Sequence, residues 1–230
     1  MKADAVKNLP QPIQGVLFDL DGTLLDSAPD LYAALVVQCA EEHVAAPAYA
    51  MVRDVVSRGS RAILRCGFPM HGEDEINALV PRYLEIYQAG MAQHTVPFDG
   101  IDPLLEQLEA QSIRWGIVTN KPGFLTDELL QRIGWDRRTH AVVAGDTLAV
   151  KKPDPAPVLL ACERADLDPA RTLFVGDDRR DVQAGNAAGL YTIAVRWGYL
   201  DGGNPDEWGA DLVIDHPRQL AELIGHKVAG

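Results

Sequence analysis

Four apolar runs in this chain end abruptly on acidic, polar or small residues, and that pattern narrows the fold more than any other feature. They are Gly15–Asp19, Trp115–Thr119, Ala141–Ala144 and Thr172–Gly176, with two weaker runs at Tyr191–Val195 and Asp211–Ile214. Short apolar runs of this kind read as buried strands. Helix-like spacing fills the intervals at Ile101–Gln111, Phe124–Ile133, Pro155–Ala165, Asp181–Ala188 and Arg218–Ile224. Strands alternating with helices imply an α/β, Rossmann-like parallel sheet covered on both faces. Such sheets bind ligands beyond the carboxyl ends of their strands. The polar residues that close the runs are therefore the first candidate functional groups.

Between Ala28 and Pro97 the alternation stops. Helical spacing at Leu31–Glu42, Ala50–Val56, Arg61–Cys66 and Glu73–Gln93, with no strand pattern, predicts a small all-helical domain over residues 28–97, inserted after the first strand. The core domain is then 1–27 together with 98–230, and Pro29 and Pro97-Phe98-Asp99-Gly100 read as the linkers. One domain plus an insert suits a chain of 230 residues.

A formal net charge of -12 argues against nucleic acid or an anionic membrane surface as the main partner. It leaves room for local phosphate binding by amides, a lysine and a metal ion. Cys39, Cys66 and Cys162 are widely spaced with no CxxC pairing and read as free thiols. Met1–Gln14 has no apolar core of a signal peptide, and no run approaches the ~20 apolar residues needed to span a bilayer. A cytoplasmic location is expected. The histidines show no HxH or HExxH spacing, and Gly202-Gly203-Asn204-Pro205 reads as a loop, not a dinucleotide fingerprint.

Asp19 and Asp21 sit one residue apart at the end of the first run. Core packing does not explain them, because unpaired buried carboxylates are costly. They suit a metal site, a nucleophile with an acid/base partner, or both. Gly22 suits the sharp turn the chain must make on leaving the sheet. Thr119 closes the second run and by itself reads as a cap for the helix beyond Pro122. Lys151-Lys152 reads as a solvated pair, and Asp178, Arg179 and Arg180 as exposed ion pairs of little worth.

Taken together, the motifs change that reading. Asp19–Leu24 (DLDGTL) matches the DxDGT[LV] signature of the haloacid dehalogenase-like superfamily, and Thr119, Lys152-Pro153 and Gly176–Asp181 (GDDRRD) follow in the family's order. The resemblance covers essentially the whole chain. It implies that Asp19 is a nucleophile forming an aspartyl phosphate, and that Asp21 is general acid and later base. It implies that the Thr119 hydroxyl and Asn120 amide bind the transferring phosphoryl group. Lys152 would neutralise charge between nucleophile and phosphate, with Lys151 facing solvent. The implied cofactor is Mg2+, held by Asp19, the main-chain carbonyl of Asp21 and Asp177, with Asp181 acting through water. Asp178 is left as an outer candidate at this site.

The insert's position is similar to that of the superfamily's helical-cap subclass. Ser57–Arg61 lies where the resembling phosphatases place a specificity loop, which makes Gly59, Arg61 and Arg58 candidates for substrate contact. Thr119-Asn120-Lys121-Pro122 resembles phosphoglycolate phosphatases. Val195–Tyr199, Asn204-Pro205 and Trp208–Asp211 resemble the N-acetylmuramic acid 6-phosphate phosphatases of peptidoglycan recycling. The resemblance thus implies a Mg2+-dependent phosphomonoester hydrolase, with N-acetylmuramic acid 6-phosphate the favoured substrate and 2-phosphoglycolate the alternative. A sugar phosphomutase or a non-catalytic binding protein ranks behind both. The expected partner is a small phosphorylated metabolite, and the expected assembly a monomer or weak homodimer.

Overall fold

The computed structural model describes residues 9–225. All six apolar runs form strands: β1 (Gly15–Phe18), β4 (Arg114–Val118), β5 (Ala141–Val143), β6 (Thr172–Gly176), β7 (Tyr191–Val195) and β8 (Leu212–Ile214). They build one parallel sheet in the order β5-β4-β1-β6-β7-β8. The first strand is therefore central, with Leu17 opposite Gly116 on one side and Phe174 on the other.

The period-2 alternation of a strand sends neighbouring side chains to opposite faces. Leu17, Val118, Val143 and Phe174 join one apolar cluster with Val158 and Ala161 of α7 (Ala156–Arg164) and Ala184 of α8 (Arg179–Ala187). Val16, Phe18, Ile117, Leu173 and Val175 join the other. There they meet α5 (Ile101–Ala110), α6 (Gly123–Ile133) and α9 (Pro217–Gly225) through Leu104, Leu129 and Leu220. A parallel sheet buried on both faces follows, as its continuous apolar strands require.

The insert consists of α1 (Ala28–Glu41), α2 (Tyr49–Arg53), α3 (Ser60–Gly67) and α4 (Glu73–Gly90). Leu35, Ile63, Leu64, Ile76 and Tyr83 are buried between these helices, and their cluster is continuous with the sheet face carrying Val16 and Phe18. Glu73, Asp74 and Glu75 occupy the first turn of α4, where negative charge complements the helix dipole. Two details differ from the sequence reading. Pro29 is not a linker but sits in the first turn of α1, where its missing N–H costs nothing. The connections into and out of the insert are instead paired as a short antiparallel ribbon, β2 (Leu25–Asp26) with β3 (Val96–Pro97).

Side chains brace this ribbon. Buried Asp30 accepts hydrogen bonds from the His94 and Thr95 amides at 2.9 and 3.0 Å and from the Thr95 hydroxyl at 2.6 Å, which ties the insert's start to its end. The Tyr199 hydroxyl donates to Asp26 Oδ1 at 2.7 Å and accepts from the Ala28 amide at 2.9 Å. The three cysteines are free thiols. Among the described residues no helix is long and apolar enough to cross a membrane.

Candidate active site

The carboxyl edge of the sheet brings together residues that are far apart in sequence. Asp19 follows β1, Thr119 follows β4, Asp177 follows β6, and Lys152 lies between β5 and α7. The Asp19 amide still donates to the Val175 carbonyl at 2.9 Å, so the strand ladder fixes its backbone one residue beyond β1. Its Oδ1 accepts from the Leu20 amide at 2.7 Å and pairs with Lys152 Nζ at 2.8 Å.

Lys152 is almost fully buried; its ammonium donates to the Val118 carbonyl at 2.7 Å and forms ion pairs with Asp19 Oδ1 and, at 2.7 Å, with Asp181 Oδ1. Burial opposes its charge, but Asp181 and then Asp19 outweigh burial and hold the ammonium above its ordinary pKa. Lys151 is exposed.

Asp19, Asp177 and Asp181 each offer a carboxylate oxygen within 4.8 Å of the others. Asp177 is wholly buried, and its oxygens accept from the Thr23 hydroxyl at 2.7 Å and the Tyr199 amide at 2.8 Å. Burial, then Asp19 and Asp181, push its carboxyl well above the usual range. Burial likewise raises Asp181, partly offset by Lys152. Gly22 adopts φ +90 at this point, and a Cβ there would collide with the Asp177 carboxylate, so glycine is required on both counts. Three close carboxylates facing one ammonium leave uncompensated negative charge. An oxygen-only donor set of that kind fits a hard divalent cation such as Mg2+. Asp19 and Asp177 would hold it with the main-chain carbonyl of Asp21, and Asp181 through water; the Asp21 carboxylate is not among the grouped oxygens.

Asp178 and Arg180 do not form the exposed pair the sequence suggested. Asp178 caps α8 by accepting from the Arg180 amide at 2.8 Å, and Asp181 Oδ2 accepts from the Asp178 amide at 3.1 Å. Arg180 grips Asp178 at 2.7 Å and extends a donor to the Ser57 carbonyl of the insert at 2.6 Å.

The Asp21 side chain turns to a different set of partners. It accepts from the Ser27 hydroxyl at 2.5 Å and from Lys121 Nζ at 3.2 and 3.1 Å. Lys121 Nζ also donates to the Tyr87 hydroxyl of α4 at 2.9 Å. Burial would lower the Lys121 pKa, but Asp21 and then Tyr87 overcome it and keep the ammonium above its ordinary value. The sequence reading gave neither Lys121 nor Tyr87 a role. Lys121 stands inside the Thr119–Pro122 motif, which is its signal in the sequence. Tyr87 follows the helical spacing of core aromatics and carries no local signal.

Thr119 is buried, and its hydroxyl accepts from the Lys121 amide at 3.1 Å, so it shapes the turn before α6 and does not cap the helix. The Asn120 side chain donates to the Lys152 carbonyl at 3.0 Å, which joins two of the site loops. A cavity of about 250 Å³ lies over these groups, walled on the core side by Asp19, Asp21, Thr119, Asn120, Lys121 and Lys152. The insert closes it with Leu31, Val56, Ser57–Arg61, Ile63, Tyr83, Leu84 and Tyr87. Gly59 (φ +82) turns the chain into α3. Arg58 and Arg61 both line the cavity; Arg58 is paired with Asp201 on the core, whereas Arg61 is exposed and has no ion-pair partner among the described residues.

Known proteins resemble this chain in sequence and in fold. Residues 16–195 match the haloacid dehalogenase-like hydrolase family. The chain is 42% identical over 220 residues to an N-acetylmuramic acid 6-phosphate phosphatase of Pseudomonas putida, covering 95% of this chain and 99% of that one. It is also 42% identical over 210 residues to a phosphoglycolate phosphatase of Xanthomonas campestris pv. campestris, covering 91% and 95%. The fold matches a crystal structure described as a predicted phosphoglycolate phosphatase from Haemophilus somnus, with a TM-score of 0.82, 24% identity, and coverage of 92% and 97%.

Proposed function

Because this chain belongs to the haloacid dehalogenase-like hydrolase family, we propose that it is a phosphomonoester hydrolase that passes a phosphoryl group to Asp19 and then to water. The observation that carries this reading is the Asp19 carboxylate. It faces the cavity with Oδ1 held by Lys152 and the Leu20 amide, and a second carboxylate lies two residues away. With Oδ1 engaged, Oδ2 is the oxygen free to attack phosphorus. The Oδ2–phosphorus bond forms as the bond to the leaving oxygen breaks, and Asp21 gives that oxygen a proton. Asp21 then takes a proton from the water that attacks phosphorus, which releases phosphate and restores Asp19. Thr119 and Asn120 border the phosphoryl position, and Lys152 counters the repulsion between dianion and carboxylate. Bound Mg2+ would supply further charge neutralisation at Asp19, Asp177 and Asp181.

We favour N-acetylmuramic acid 6-phosphate as substrate. A two-carbon phosphate would fill a small part of the 250 Å³ cavity. A sugar phosphate with lactyl and acetamido arms fills it better, against the apolar wall of Leu31, Val56 and Ile63. Arg61 is free to meet the lactyl carboxylate. 2-Phosphoglycolate stays the second reading, because relatives of both names are equally similar at 42% identity. The test is a phosphate-release assay over a panel of phosphorylated metabolites, with and without Mg2+. Highest kcat/KM on the muramic acid phosphate is the expected result. Faster turnover of 2-phosphoglycolate reverses the ranking, and no phosphate release from any member removes the hydrolase reading.

A further inference from the structure

The reaction outlined above uses Asp21 but gives no task to the ammonium that holds it. Lys121 is buried, with only 6% of its side chain exposed, and is bonded to both Asp21 oxygens and to the Tyr87 hydroxyl. Its Nζ also lies 4.6 Å from the centre of the Tyr87 ring. Tyr87 belongs to α4 of the insert, whereas Asp21 and Lys121 belong to the sheet edge. The ammonium is thus a bridge between the two parts of the chain, and its core-side partner is the candidate acid.

We infer that Lys121 is a positioning residue for Asp21, and that Tyr87 makes this positioning depend on the insert being seated over the cavity. The argument is one of freedom. A carboxylate on a loop has rotamers to choose among, and Ser27 fixes only Oδ1. The Lys121 contact to both oxygens fixes the plane of the group. Lys121 in turn has a long side chain that needs its own anchor, and the Tyr87 hydroxyl is that anchor. With the insert displaced, Tyr87 leaves, Lys121 regains rotamers, and Asp21 loses its aim. The acid is then set in place only when water is shut out by the same helix.

This inference rests on the proposed hydrolase reading, and its test separates the two. kcat/KM reports the steps through departure of the leaving group, so it is measured for a neutral sugar 6-phosphate and for p-nitrophenyl phosphate. The first leaving group needs a proton and the second does not. General acid catalysis contributes about 100- to 10,000-fold. Lys121→Met is expected to lower kcat/KM on the sugar phosphate about 100-fold and on the aryl phosphate less than about 5-fold. Tyr87→Phe keeps the ring and removes only the hydroxyl, and is expected to show the same selectivity at about 10-fold. In a double-mutant cycle, Lys121→Met added to Asp21→Asn should cost nothing further. Equal losses on both substrates, or additive losses in the cycle, would overturn the inference while leaving the hydrolase intact. Should Lys121→Met fail to fold, Tyr87→Phe and its own cycle with Asp21→Asn decide the matter. An Asp21→Asn variant with full activity on the sugar phosphate would instead remove the acid role on which both rest.

Discussion

Two buried lysines face the same cavity and are held in opposite ways. Lys152 takes all its partners from the sheet edge: Asp19, Asp181 and the Val118 carbonyl. Lys121 divides its partners between the sheet edge and the insert, Asp21 on one side and Tyr87 on the other. The first arrangement is therefore built without a side chain of the insert, whereas the second includes one. The difference matches the chemistry proposed for the carboxylate that each one holds. A nucleophile must be fixed against like charge before substrate arrives, whereas an acid is useful only once the substrate is enclosed.

The largest expected effect lies on the fixed side. Asp19→Asn should lower turnover by several orders of magnitude, the scale seen for other essential nucleophiles, while circular dichroism reports an unchanged fold. Substantial phosphate release from a preparation free of wild-type protein would end the comparison at its first term.

Metal removal comes next. Chelation should silence turnover reversibly, and Ca2+ should restore it poorly, because Ca2+ recruits more ligands at longer distances. A readout independent of turnover is the thermal midpoint. A ligand at about 100 times its Kd adds roughly 2.7 kcal/mol to the folded state. Mg2+ should therefore raise Tm in the wild type and much less in Asp177→Asn, which has lost a carboxylate of the buried group. Equal rises in both would show that the cation binds elsewhere.

Lys152→Met tests how much the fixed arrangement contributes to stability. Removing one partner of a buried ion pair costs about 3–5 kcal/mol. At about 2–4 °C per kcal/mol for a chain of this size, the expected loss of Tm in chelator is roughly 6–20 °C. Lys121→Met should lose clearly less, because it frees one carboxylate that is still bonded to Ser27 and partly reached by water. Similar losses in the two variants would erase the contrast between the lysines.

The smallest expected effect belongs to the insert's outer edge. Arg61→Ala should lower kcat/KM at least about tenfold for a carboxylate-bearing substrate, from the loss of one charge-assisted contact. An aryl phosphate without that carboxylate should be little affected. Equal losses on both would remove Arg61 from substrate recognition and leave the insert with Tyr87 as its contribution to the site.

The sheet and its order of elements were legible because strands and helices carry their own periods. Gly15–Phe18 and Thr172–Gly176 are short, uninterrupted and apolar, which is what burial on both faces demands. Asp19 was legible because a carboxylate closing a buried apolar run is expensive, whereas Lys152 and Asp177 were legible only through the motifs they share with the family. The β2–β3 ribbon was not legible, since two residues on each side carry no period. Pro29 was misread because a proline marks a linker and a helical first turn equally well in sequence.

What the sequence determined by itself was the local chemistry: which strands exist, where each one stops, and which acidic and basic groups stand at the stops. What only the tertiary structure decided was partnership. Lys121 meets Asp21 across 100 residues of chain and Tyr87 across 34. Arg180 meets the Ser57 carbonyl across 123, and Tyr199 meets Asp26 across 173. No local propensity specifies such contacts. They arise because the insert folds back over the sheet edge, and burial there leaves each polar group only those partners that the closed chain brings within reach.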